Sequence, residues 1–127
     1  MIEKIETKAA PAAIGPYSQA VRCGSMLFCS GQIPINPETG EIVEGDVTAQ
    51  AKQVFKNIKA VLSAAGADEG NVVKATVFLK DMADFAAVNG VYASFFEKCA
   101  TLPARSAVAV RSLPKDVMVE VEVIAVL

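Results

Sequence analysis

The chain has 127 residues, 53% of them hydrophobic, with a formal net charge of −2 and no histidine. That length allows one domain, residues 1–127, with a real core. The missing imidazole removes Ser-His and Cys-His nucleophile pairs and the usual zinc constellations, and the acidic balance offers no basic stripe for nucleic acid.

Residues 1–7 read as a short first strand. Their Glu and Lys residues leave no apolar signal-peptide core, so a soluble, cytoplasmic protein is expected. Pro11, Gly15 and Pro16 make residues 9–16 an ordered loop. Two strands follow, residues 18–22 and 26–30, with Cys23-Gly24-Ser25 as the turn. Residues 34–40 are a turn-rich surface excursion before a short extended piece, 41–43. Val47, Ala51, Val54, Phe55, Ile58, Val61, Leu62 and Ala65 recur at helical spacing and predict a helix over residues 47–65. Asp46 suits its N-cap and Gly66 its C-terminal turn. A strand is expected over residues 71–80, rich in Val and Phe.

A second helix, residues 84–98, presents Phe85, Val88, Tyr92, Phe95 and Phe96 on one face, with Asp81 or Asp84 as its cap. Two very apolar strands end the chain and read as a hairpin turning through Leu113-Pro114-Lys115-Asp116. The order strands, helix, strand, helix, hairpin defines an α+β class with a mixed sheet and two helices on one face, not a doubly wound nucleotide fold. Two helices leave the other sheet face bare. Its apolar strands, and a composition richer in hydrophobic residues than a monomer needs, predict association with other copies. Cys23, Cys29 and Cys99 have neither disulfide-scaffold density nor CxxC spacing and read as reduced thiols. The longest uncharged stretches are broken by Pro, Gly and polar residues, so no membrane span is expected.

Charges inside the terminal strands need a reason, because a buried guanidinium or carboxylate is costly without a partner or ligand. Arg105 begins one of them, and its planar fork suits a small carboxylic acid. The alternative is a structural salt bridge to Glu120 or Glu122. On the last strand Glu120 and Glu122 share the face away from the valines. Tyr17 and Ser30 sit where hydroxyls and free N–H groups converge, or else are an interior tyrosine and a turn serine. Asn89 lies within a helix, hydrogen-bonded or solvated. Gly40 to Gly45 has phosphate-loop spacing, but Asp46 replaces the required lysine. Lys115 reads as a solvated turn residue, not a Schiff-base nucleophile.

Taken together, Ala9-Ala10-Pro11-Ala12-Ala13-Ile14-Gly15-Pro16-Tyr17-Ser18-Gln19, Ser30-Gly31-Gln32-Ile33-Pro34, Val88-Asn89, Pro103-Ala104-Arg105-Ser106 and the Glu120 strand closely resemble the Rid, or YjgF-like, reactive-intermediate deaminase family. The resemblance implies a chorismate-mutase-like fold and a homotrimer with ligand clefts between subunits. It implies hydrolysis of short 2-imino acids to 2-oxo acids and ammonia, a form of metabolite damage control, with no metal or organic cofactor. By matching motif, Arg105 would clamp the substrate carboxylate with help from the Gly31 N–H; Tyr17, Ser30 and Asn89 would shape and polarise the cleft; Glu120 would hold and polarise water. Many family members carry cysteine where this chain has Ala107, a position that would then serve through its backbone carbonyl. A rival reading is a non-catalytic trimer that senses a 2-oxo acid. Glu120 discriminates, since a passive anion pocket gains nothing from a second carboxylate. A ribonuclease role fits poorly with no histidine and an acidic balance.

Overall fold

The computed structural model describes residues 1–127. Its strands are β1 (Ile2–Ile5), β2 (Ala20–Cys23), β3 (Met26–Cys29), β4 (Val72–Leu79), β5 (Ala104–Ala109) and β6 (Val119–Val126), joined in one sheet of order β1-β2-β3-β6-β4-β5. All neighbours are antiparallel except β4 and β5. That parallel pair needs a crossover, which α2 (Phe85–Phe95) supplies. The longer helix α1 (Val47–Ala64) begins where the Asp46 carboxylate accepts the Ala49 N–H at 3.0 Å. It stops before Gly66, whose φ of +77° is left-handed backbone that a side chain disfavours.

The sheet buries one face. Val119, Val121, Val123 and Ala125 of β6, with Ala75, Val77 and Leu79 of β4, turn towards the helices and meet Val54, Ile58 and Leu62 of α1 and Val88 of α2. Burying one such side chain contributes about 1.5–3 kcal/mol, and a slip of one residue would exchange the valines for Glu120 and Glu122. That penalty holds the register of β6. Two buried amides tie α1 to the loops around it: Gln50 accepts the Met118 N–H at 2.8 Å, and Asn57 donates to the Ile33 and Ile35 carbonyls at 3.2 and 2.9 Å. On the opposite face Phe28, Val108 and Val126 stay exposed. No helix is long and apolar enough to cross a membrane.

The α+β architecture with two helices on one face agrees with expectation, but the terminal hairpin does not form. β6 inserts between β3 and β4, so β4 separates it from β5. The uninterrupted valine face of β6 gains most from a central place with neighbours on both sides, whereas short β5, mostly exposed, takes the edge. Arg105 is therefore an exposed residue and not a buried charge. Smaller differences concern the boundaries. Residues 41–43 reduce to one bridge, Ile35 with Ile42. Asp81 caps the turn Met82–Asp84 by accepting from Ala83, while Asp84 makes no capping bond. α2 closes before fully buried Phe96.

Candidate active site

The alternation of β6 places Glu120 away from the core, and the segment after β3 comes to meet it. Gln32 donates to the Val121 carbonyl at 2.8 Å and Val121 returns a bond to the Gln32 carbonyl at 3.2 Å, a bridge that sets Gly31 against the Glu120 side chain. The approach leaves no space for a side chain, since a Cβ at residue 31 would overlap Glu120 Oε2. The Gly31 N–H has no backbone acceptor in the chain. Ser30 donates its hydroxyl to the Ser18 carbonyl at 2.7 Å, which leaves its oxygen lone pairs available.

Buried Gln19 accepts the Thr7 N–H at 2.7 Å and donates to the Thr7 and Pro11 carbonyls at 3.0 and 2.7 Å, fastening the loop that leads to exposed Tyr17. Tyr17, Ser30, Gly31 and Glu120 all line one hollow of about 670 Å³, together with Ile14, Ile33, Ile35, Lys115 and Glu122. Lys115 itself is exposed in a tight turn.

Burial pushes the Glu120 carboxyl above its ordinary value of 4.5, and the negative charge of Glu122 adds to the rise. Because the folded-state pKa exceeds the unfolded one, this carboxyl favours the fold while protonated. That contribution is lost as pH rises from the unfolded value through the folded one. In a carbon-13 NMR titration the Glu120 midpoint is expected above 4.5. Glu122→Gln removes the nearby charge and should move that midpoint down; an unmoved midpoint would mean that burial alone sets it.

Arg105 occupies the other side of the sheet. It is in register with Ala75 and through it with Val123, both buried beneath the helices, and it reaches over α2. Its NH1 donates to Asn89 Oδ1 at 2.6 Å, and its guanidinium carbon lies 4.7 Å from the Tyr92 ring centre and 5.3 Å from that of Phe85. The chain's three ion pairs are Lys4–Glu6, Lys59–Glu69 and Lys80–Asp116, so Arg105 has no acidic partner. The salt bridge to Glu120 or Glu122 is absent. Half-buried Ala107, two residues on, faces the same side in register with Val77.

The sequence candidates thus divide. Tyr17, Ser30, Gly31 and Glu120 converge on one hollow, whereas Arg105, Asn89 and Ala107 lie across the sheet from Glu120, which is in register with Phe78. Sequence reasoning placed Phe85 and Tyr92 on the core face of a helix without seeing that the end of that face meets Arg105. Their i, i+7 spacing, with Asn89 at i+4 between them, was the available signal. Gln19 gave none, because a buried glutamine that braces a loop looks like any polar loop residue.

Fold and geometry together define an α+β protein with two polar clusters on opposite faces of one sheet. The chain belongs to the family described as Endoribonuclease L-PSP, the Rid or YjgF-like proteins, whose sequence profile matches residues 7–127. It is 58% identical over 127 residues to the 2-iminobutanoate/2-iminopropanoate deaminase of Escherichia coli K12, covering 99% of this chain and 98% of that protein. It is 57% identical over 125 residues to a RutC family protein of Pyrococcus horikoshii, covering 98% of each. Among solved structures, the Rid family protein YyfA of Yersinia pestis superposes with a TM-score of 0.97 at 50% identity over the whole of both chains. Escherichia coli TdcF with bound serine gives 0.94 at 53% identity over 98% of each.

Proposed function

We propose that this chain hydrolyses short-chain 2-imino acids, the tautomers of 2-aminoacrylate and 2-aminocrotonate, to 2-oxo acids and ammonia. The observation that carries this reading is a carboxyl packed close against Gly31 at the wall of a hollow, its pKa raised by burial, in a chain 58% identical to a named imine deaminase. Glu120, ionised, takes a proton from water as its oxygen bonds to the iminium carbon, and the C=N electron pair moves onto nitrogen. The protonated Glu120 then gives that proton to the amine. The C–N bond breaks with its electron pair going to nitrogen as the hydroxyl proton passes to Glu120, leaving the 2-oxo acid and ammonia, and the ammonia carries that proton off as ammonium so that Glu120 is again ionised. Arg105 and the Gly31 N–H hold the substrate carboxylate throughout, and Tyr17 and Ser30 orient the reacting group. The chemistry calls for no metal or organic cofactor. A cytoplasmic scavenger of reactive enamines would act in this way.

Since Arg105 and Glu120 face opposite sides of one sheet, the cleft is completed between subunits of a homotrimer, which also covers the exposed face around Phe28 and Val126. Sedimentation equilibrium should give three chains per particle; a stable monomer would remove the shared cleft. Mixed trimers of Arg105→Lys and Glu120→Gln chains should regain activity, because about one cleft in four receives both intact residues at equal mixing. The direct test generates the enamine in situ with a pyridoxal-phosphate dehydratase and compares 2-oxo acid formation with and without this protein. No acceleration would overturn the assignment. Ala107→Cys is expected to change turnover by less than about tenfold, because water addition needs no thiol. A larger gain would make the thiol a participant.

A further inference from the structure

An exposed arginine on an edge strand, without an acidic partner, ordinarily samples many rotamers and must surrender them to hold a ligand. Arg105 is spared much of that freedom. Phe85, Asn89 and Tyr92, spaced i, i+4, i+7 on α2, present one stripe to its guanidinium. The Tyr92 ring is in turn fixed by Phe55, 5.9 Å away and nearly perpendicular at 83°, and by Phe96 at 4.7 Å. The platform therefore stands on the core.

We propose that Phe85 and Tyr92 are positioning residues, which hold the Arg105 guanidinium against their rings while Asn89 sets its rotation, so that its donor fork is preset for a planar carboxylate. This rests on the role given to Arg105 above. The chemistry favours rings over an acid. A carboxylate partner would occupy the fork and neutralise the charge, whereas an aromatic platform attracts the cation without using up its N–H donors. Of five donors, Asn89 takes one, and the two parallel N–H groups of a bidentate contact can still be supplied. The Tyr92 hydroxyl is buried with no partner, so the ring is the active part of that side chain.

Phe85→Leu and Tyr92→Leu should each raise KM for the imine, and Kd for 2-oxobutanoate, by roughly two- to thirtyfold, the range for losing a cation–π contact from solvated to dry surroundings. Since the carboxylate is held in both ground and transition states, kcat should stay within about twofold. Tyr92→Phe, which keeps the ring, should restore the wild-type Kd within about twofold. In ligand-free protein the Arg105 Hε resonance should be shifted upfield by the rings, return towards the random-coil position in the leucine variants and remain shifted in Tyr92→Phe. Should Tyr92→Leu fail to fold, Phe85→Leu at the start of the helix carries the same test. Unchanged Kd and resonance in Phe85→Leu would overturn the proposal, as would a Tyr92→Phe chain as weak as Tyr92→Leu. A wild-type protein without imine turnover would overturn the proposed function, while the resonance and the 2-oxobutanoate affinity would still decide the platform.

Discussion

Glu120→Gln is expected to lower imine turnover by about 10²–10⁴-fold, the usual worth of general-base assistance, while Glu122→Gln leaves most of it. Glutamine keeps the size and hydrogen bonding of the side chain but cannot take a proton from water. Both glutamates lie on the same face of β6, so the pair controls for surface charge and strand stability. The difference between them is placement: the Glu120 side chain lies against Gly31 and is half-buried, whereas Glu122 is exposed. Affinity for 2-oxobutanoate should survive Glu120→Gln, and tighten if the carboxylate repels the anion. Measuring turnover and affinity together separates an enzyme from a passive sensor. Unchanged turnover would rule out Glu120 as the base.

Arg105→Lys should weaken transition-state stabilisation by about tenfold to a hundredfold, with the assembly intact. The structure sharpens the reason. An ammonium offers a point charge with no planar fork, and it would lose the geometry of the 2.6 Å bond to Asn89 along with the two-pronged grip on a carboxylate. Because Arg105 is exposed and forms no ion pair, its replacement disturbs little of the fold. Steady-state kinetics on the lysine variant, with sedimentation as the control, checks this; full activity would exclude the arginine clamp.

The elements most legible in the sequence were those whose pattern reports directly on burial. The stripe from Val47 to Leu62 gave α1 within one residue, and the alternation of valines with Glu120 and Glu122 gave both the strand and the side on which the glutamates lie. Strand partners were a different matter. Two apolar strands joined by a Pro-containing turn look like a hairpin, and nothing local to residues 103–127 reveals that β4 comes between them. That choice depends on burial gained against distant α1 and α2. The same non-local pairing hid the division of the candidate site, since the face of β5 relative to β6 follows from β4 alone. Glu120 and Arg105 stood out as charges among valines and alanines. A charge in an apolar strand implies burial, but the edge position of β5 leaves Arg105 exposed. The close packing of Gly31 on Glu120 left no trace in residue type beyond a glycine in a loop.

That packing has a consequence for how such a chain can vary over time. The backbone at residue 31 is not in the left-handed region, so folding by itself does not demand glycine there. The demand comes from the far end of one flexible side chain, Glu120. Tolerance at the two positions is therefore conditional. In a chain that still carries the glutamate, any larger residue at position 31 pushes the carboxylate from its place against the loop. Once Glu120→Ala has occurred, a methyl at position 31 no longer meets that carboxylate. Order then matters: a lineage that fills position 31 after losing the acid has closed the way back, because restoring the glutamate alone no longer restores its place.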